Sequence, residues 1–161
     1  MRIALYEPDI PQNAGAIFRL AACLGVPADV IEPCGFILDD KRLRRVAMDY
    51  GGQAVIARHA SYAAWQQARA AGAGGRIVLL TTRGDTPYVD FAFRPTDTLL
   101  LGRESAGVPT AVHDNADARL IVPMAPGARS LNVVTAAAMV LGEALRQTGG
   151  LATMKTERTT R

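Results

Sequence analysis

Arg103 and Glu104 stand between Gly102 and Gly107, directly after the apolar run 99–101, in the stretch LLLGRESAGVP. A charged pair in a tight loop at the end of a buried-looking strand suits ligand binding, because backbone groups are exposed there and glycine lets a ligand approach closely. Two further stretches share this character. In PDIPQNAGAIFR, residues 8–19, Asn13, Gly15 and Arg19 open a helix. In VPMAPGARSLN, residues 122–132, Arg129, Ser130 and Asn132 precede the longest helical pattern of the chain. Together they offer a carboxylate, a hydroxyl, amides and arginines among small residues. Such a set fits an adenosine-type ligand held largely by main-chain groups, beside a phosphate-bearing partner.

Several common sites do not fit these residues. The turn after the first strand, YEPDIPQNAG, carries two prolines and one glycine where a GxGxxG dinucleotide fingerprint needs three glycines. GAGG at 72–75 ends a helix rather than starting one, and there is no GxxxxGK[ST] phosphate loop. A GxSxG nucleophile elbow around Ser105 would need glycine where Arg103 stands. His59 and His113 lie far apart without a ligand pattern, and Cys23 and Cys34 lack the partners of a zinc site, so no metal is expected. Both cysteines read as reduced, partly buried thiols.

The elements that must carry the loops follow from periodicity. Strands are expected at RIALY (2–6), ADVIEP (28–33), QAVIAR (53–58), RIVLLTT (76–82), DTLLLG (97–102) and ARLIVPM (118–124). Helices are expected from Pro11 to Gly25, over KRLRRVAMDYGG after Asp39 and Asp40, over 62–72 with Ser61 as cap, from Pro109 to Asn115, and from Ser130 to Gln147. In the last, Leu131, Val134, Ala138, Leu141 and Leu145 make one apolar stripe, and Ala136, Ala137 and Val140 form an alanine-rich face open to a partner helix. Alternating strands and helices imply an α/β fold, a single domain with a mostly parallel sheet covered by helices. All three loops then fall on its carboxyl edge, where they can converge. Residues 1–150 form this domain and 151–161 read as a flexible polar tail.

Composition agrees with one globular domain: 161 residues, 49% hydrophobic, 20% charged. No run spans a bilayer and the start MRIALYEPDIPQN has no signal-peptide pattern, so a cytoplasmic protein is expected. Net charge is +3, and of 18 basic residues only Lys41 and Lys155 are lysine. Guanidinium matches phosphate in bidentate geometry, so the excess permits a nucleic-acid partner, with KRLRR (Lys41, Arg42, Arg44, Arg45) as the local cluster. A solvated helix face explains that cluster equally well.

The three stretches resemble, in order, the signature motifs of the SPOUT class of S-adenosylmethionine-dependent RNA methyltransferases, in its SpoU (TrmH-like) branch. NAGAIFR is similar to motif one, LLLGRESAGVP to motif two and VPMAPGARSLNVVTAAAMV to motif three. The resemblance spans almost the whole chain. It implies a C-terminal trefoil knot, a homodimer with the active site completed at the interface, and S-adenosyl-L-methionine as cofactor. The start RIALYEPDIPQNAG is most similar to the compact members that methylate the 2′-hydroxyl of the wobble nucleotide 34, cytidine or modified uridine, in the tRNA anticodon loop. Other tRNA or rRNA nucleotides, or a non-catalytic RNA- or nucleotide-binding module of the same fold, are the alternative readings.

Carried over by position, Leu80, Gly102, Gly107, Val122, Met124, Ser130 and Leu131 match cofactor contacts. Asn13, Arg19, Glu104, Ser130 and Asn132 match the catalytic and positioning set, and Arg19, Lys41, Arg42, Arg44, Arg45 and Arg129 the RNA contacts. Arg103 departs from the proline of many relatives. Competing local roles are a helix cap for Asn13 or Ser130, a pair with Arg103 for Glu104, and helix packing rather than base stacking for Tyr62 and Trp65.

Overall fold

The computed structural model describes residues 1–38, 55–72 and 74–151. The helix expected over 41–52, with Lys41, Arg42, Arg44 and Arg45, lies outside the described residues, as does 152–161 of the expected tail. The described elements are β1 (Arg2–Tyr6), α1 (Pro11–Cys23), β2 (Ala28–Ile31), β3 (Ile56–His59), α2 (Tyr62–Ala71), β4 (Ile77–Leu80), β5 (Thr86–Pro87), β6 (Thr98–Leu101), α3 (Thr110–Asp114), β7 (Ala118–Ile121) and α4 (Val133–Gln147). A short 3₁₀ turn occupies Tyr88–Asp90.

The strands form one sheet in the order β3-β2-β1-β6-β4-β7-β5, every neighbouring pair parallel. Strand order reverses at β1, which pairs with β2 on one side and β6 on the other. The exit loops of β1 and β6 therefore lie side by side at a topological switch point, the usual ligand position in such sheets.

Both faces are covered, which explains the apolar runs IVLL of β4 and LLL of β6. Ile3, Leu5, Val30, Val78, Leu99 and Leu101 point to one face and pack with Ile17 and Phe18 of α1 and Val140 and Leu141 of α4. Ala4, Tyr6, Ile31, Leu79 and Leu100 alternate to the other, against Trp65 of α2 and Val112 of α3. Trp65 is fully buried, so its role is packing. Cys34 is half-buried, its thiol pushed up to about 11 chiefly by burial, whereas Cys23 is exposed, contrary to expectation.

Local signals set the helix starts. Pro11 opens α1 at a position that needs no N–H. Ser61 Oγ accepts from Ala64 N at 3.2 Å at the head of α2. The last helix starts later than expected: Asn132 Oδ1 accepts from Val134 N at 2.8 Å and takes the cap, leaving Ser130 and Leu131 in the preceding loop. The expected stripe is displaced too, because Leu131 and Ala138 are exposed while Ala136, Ala137, Val140, Leu141, Ala144 and Leu145 are buried. The alanine-rich face is thus spent on the core and is not free for a partner helix. Small residues there admit the helix close to the sheet.

Of the two buried carboxylates among the described residues, Asp29 and Asp97, Asp29 lies on the opposite face. Asp29, 2% exposed, receives Arg2 Nη2 at 2.7 Å and Nε at 3.0 Å, His59 Nε2 stands 3.2 Å away, and Trp65 Nε1 donates at 3.4 Å. Burial pushes its carboxyl up, but the Arg2 fork and then His59 override it, so it ionises below the ordinary carboxylate value. The stabilisation is present above the unfolded carboxylate range and is lost as pH falls through the lower folded value. Asp29→Ala leaves three donors without their acceptor and is expected to cost about 3 kcal/mol in denaturant unfolding. The loss should shrink in acid, and an unchanged midpoint at neutral pH would contradict it.

Candidate active site

At the carboxyl edge of the sheet the exit loops of β4, β6 and β7 and the start of α4 enclose a cleft of about 1010 Å³. That volume lies at the upper end for small-molecule sites. Leu80, Gly102, Glu104, Gly107, Val122, Met124, Arg129, Ser130, Leu131 and Asn132 line it, and Asn13 closes it from the first turn of α1. The convergence expected of the three loops is therefore observed. Arg19 is the exception: it is exposed on α1 and is not among the lining residues.

The β6 exit loop is built by two glycines with different reasons. Arg103 N donates to Gly107 O at 3.0 Å and Gly107 N to Arg103 O at 2.8 Å, closing a small antiparallel bridge. A Cβ on Gly102 would stand 2.7 Å from Gly107 C and 2.9 Å from its Cα. Close approach of two backbones, rather than of backbone and ligand, requires glycine at 102. Gly107 has space around it but a φ of 66°, which L side chains adopt at a cost.

The charged pair does not pair locally. Arg103 Nη2 reaches Glu7 Oε2 at 3.3 Å and its guanidinium lies 5.9 Å from the Tyr6 ring centroid. Glu104 instead turns to the β1 exit, where Asp9 N stands 3.4 Å from its Oε2. Burial, and then the Asp9 carboxylate, raise the Glu104 carboxyl above its ordinary value. Asp9 is lowered by its contact with Glu104 and by the Ser105 donors. Of the two carboxyls, Glu104 is therefore the one that gives up its proton last. Asn132 Nδ2 donates to Asn13 Oδ1 at 3.3 Å, joining the first and third loops. Asn13 is not a cap, because Ile10 occupies that position without a side-chain bond.

Sequence reasoning missed Asp9 and Arg83, the latter lining the cleft from the β4 exit loop. Asp9 was legible as a carboxylate between two prolines just after a strand. Arg83 carried no signal beyond its place after an apolar strand. Among the described residues no group of His, Cys, Asp and Glu could hold a metal ion, and no helix is long and apolar enough to cross a membrane.

A parallel sheet with a glycine-built cleft at its carboxyl edge is the arrangement with which open α/β proteins bind ligands. The chain belongs to the SpoU rRNA Methylase family, which it matches over residues 1–142. It is 59% identical over 152 residues to a tRNA (cytidine(34)-2'-O)-methyltransferase of Ancylobacter novellus, covering 94% of this chain and 96% of the relative. The corresponding Escherichia coli K12 protein is 39% identical over 151 residues, covering 92% and 94%. Among solved structures, one addressing 2-OH methylation of C/U34 on tRNA superposes with TM-score 0.81 at 38% identity, covering 91% of this chain and 94% of that one. The SpoU methyltransferase AviRb from Streptomyces viridochromogenes, in complex with the cofactor AdoMet, gives 0.77 at 32% identity, over 91% of this chain and 60% of that one.

Proposed function

We propose that this protein transfers a methyl group from S-adenosyl-L-methionine to the ribose 2′-hydroxyl of tRNA nucleotide 34. The observation that carries the reading is the meeting of all three loops around one cleft, with the Gly102–Gly107 backbone contact in its lining. Near-complete mutual coverage with tRNA (cytidine(34)-2'-O)-methyltransferases supports the choice of nucleotide.

The cleft fits the cofactor by its donor set, being mainly loop backbone and small or apolar side chains. Leu80, Gly102, Gly107, Val122, Met124, Ser130 and Leu131 would hold it. When bound it supplies a methyl group on a sulfonium, an electrophile that needs only an aligned nucleophile. Asn13 and Asn132 fix each other and so fix the α1 and α4 sides of the cleft. Glu104, its carboxyl raised above the ordinary value by burial and Asp9, holds a proton more readily than a free glutamate and faces the Asn13 amide. Arg83 and Arg129 line the cleft, which therefore favours phosphate.

A guanidinium is a donor fork rather than a base, so the part proposed for Arg19 is to orient the 2′-hydroxyl and an adjacent phosphate. Its exposed place off the cleft of its own chain supports a homodimer in which it serves the partner's site. The 1–150 domain would hold the cofactor in loops of a C-terminal trefoil knot, a reading supported by membership of the family. By their charge, Lys41, Arg42, Arg44 and Arg45 suit contact with the phosphates of an unpaired anticodon loop in the cytoplasm.

Methyl transfer from labelled cofactor to bulk tRNA, followed by nucleoside mapping, tests the reading. Label in a 2′-O-methylated nucleotide at position 34 is expected. Label elsewhere in RNA removes the substrate assignment, and no transfer removes the enzyme. Binding of an isolated anticodon stem-loop should weaken steeply with added salt through counterion release. Sedimentation at micromolar concentration should give a dimer, and a monomer alone would sink the shared site.

A further inference from the structure

Asp9 has no part in the chemistry above, yet it ties together two of the loops on which that chemistry depends. Its carboxylate accepts from Glu104 N at 3.1 Å, from Ser105 N at 3.3 Å and from Ser105 Oγ. The backbone that presents it is held from the other side. Glu7 has a φ of 43°, in the left-handed region, and its N–H donates to Ile31 O at 2.8 Å. Gly35 N donates to Pro8 O at 2.9 Å, and a Cβ on Gly35 would lie 2.9 Å from Asp9 Cα and Cβ. A non-glycine residue stays left-handed only where its surroundings over-determine it, and such strain concentrates at functional sites.

We propose that Asp9 is a positioning residue for methyl transfer, acting through the Glu104–Ser105 tip of the β6 exit loop; this rests on the methyltransferase reading. The loop divides into two parts. Its base closes on itself through the Arg103–Gly107 bridge, so the Gly102–Gly107 cradle stands without Asp9. Its tip sends both backbone donors, Glu104 N and Ser105 N, to the Asp9 carboxylate. That fixes where the Glu104 carboxyl sits relative to the Asn13 amide, which in turn meets Asn132. The other charges around the pair are Glu7 and Arg103, which neutralise each other at 3.3 Å, with Arg83 and Arg129 lining the same cleft.

Because cradle and tip are anchored separately, losing Asp9 should separate turnover from cofactor binding. In the full chain, Asp9→Asn supplies one acceptor in place of a carboxylate and should lower kcat on tRNA roughly 10- to 100-fold, the cost of a small misplacement. Affinity for S-adenosylhomocysteine by calorimetry should stay at the wild-type value. Combined with Glu104→Gln, it should cause no loss beyond that of Glu104→Gln alone, since one acts through the other. Ser105→Ala, which removes a single hydroxyl contact, should give a smaller fall in kcat and keeps the test open if the Asp9 variant folds poorly. Carbon-13 titration of the Glu104 carboxyl should move toward the ordinary glutamate value in Asp9→Asn, a readout that needs no turnover. Additive losses, an equal fall in cofactor affinity, or an unmoved Glu104 titration would overturn the proposal. Wild-type protein that binds cofactor but methylates no RNA would instead defeat the function, while the titration still decides the clamp.

Discussion

Arg19→Ala is expected to reduce methyl transfer at least about 100-fold in kcat, the scale of losing one preorganised transition-state contact, with cofactor affinity nearly unchanged. The separation follows from position. Arg19 is exposed on α1 and does not line the cleft of its own chain, so the residues proposed to hold the cofactor keep their arrangement without it. Arg19→Lys should fail as well, because an ammonium cannot make two directed contacts from one plane. Mixing Arg19→Ala with a cofactor-binding variant of the same chain provides a sharper check. If Arg19 serves the partner's site, mixed dimers contain one intact site and recover part of the activity; if it acts within its own chain, they recover none. Parallel loss of turnover and cofactor affinity in Arg19→Ala would show a structural role.

Much of the fold was legible because the strands are buried on both faces. Runs such as RIVLL and TLLL have no polar alternation, and that pattern belongs to parallel, helix-covered sheets. RIALY became β1 with the expected limits, and Ser61 capped its helix as its type implies. The short pairing of Thr86–Pro87 on β7 was not legible, since two residues carry no periodicity and proline reads as a breaker. The start of α4 was misplaced because Ser130 and Asn132 are both good caps. Local preference cannot rank two caps two residues apart; the backbone of Asn132, with ψ 137°, decides it. The alanine-rich face was misassigned for a related reason. Small residues signal close approach but not the partner, and here the partner is the protein's own core.

The site was legible as three loops and illegible as contacts. Each loop follows a strand, so the parallel sheet alone places them on one edge. What joins them depends on strand order, and β1 beside β6 cannot be read from their separation of some ninety residues. Glu7–Arg103, Asp9–Glu104 and Asn13–Asn132 all cross between loops far apart in sequence. Sequence proximity made Arg103 and Glu104 look like a pair. The structure sends them to different partners, one to Glu7 above Tyr6 and the other to Asp9.

Gly102→Val is the other large expected effect, and it should fall on stability and cofactor binding together. The first added carbon already meets Gly107 C at 2.7 Å and Cα at 2.9 Å, backbone atoms that cannot rotate away. The bridge bonds of 3.0 and 2.8 Å between Arg103 and Gly107 must lengthen or break to make room, opening the turn that lines the cleft. Overpacking of this kind costs about 1–3 kcal/mol, and a β-branched side chain with restricted rotamers belongs at the upper end. Gly102→Ala should follow the same course more mildly. Gly107→Ala separates crowding from conformation: nothing stands within 4 Å of its added carbon, and only its φ of 66° is penalised. That variant should lose about 1–2 kcal/mol while retaining more of the cofactor affinity. Denaturant unfolding and calorimetry with S-adenosylhomocysteine on the three variants check the order. Wild-type affinity in Gly102→Val would mean that the cofactor does not depend on this turn, and the cleft would lose its assignment.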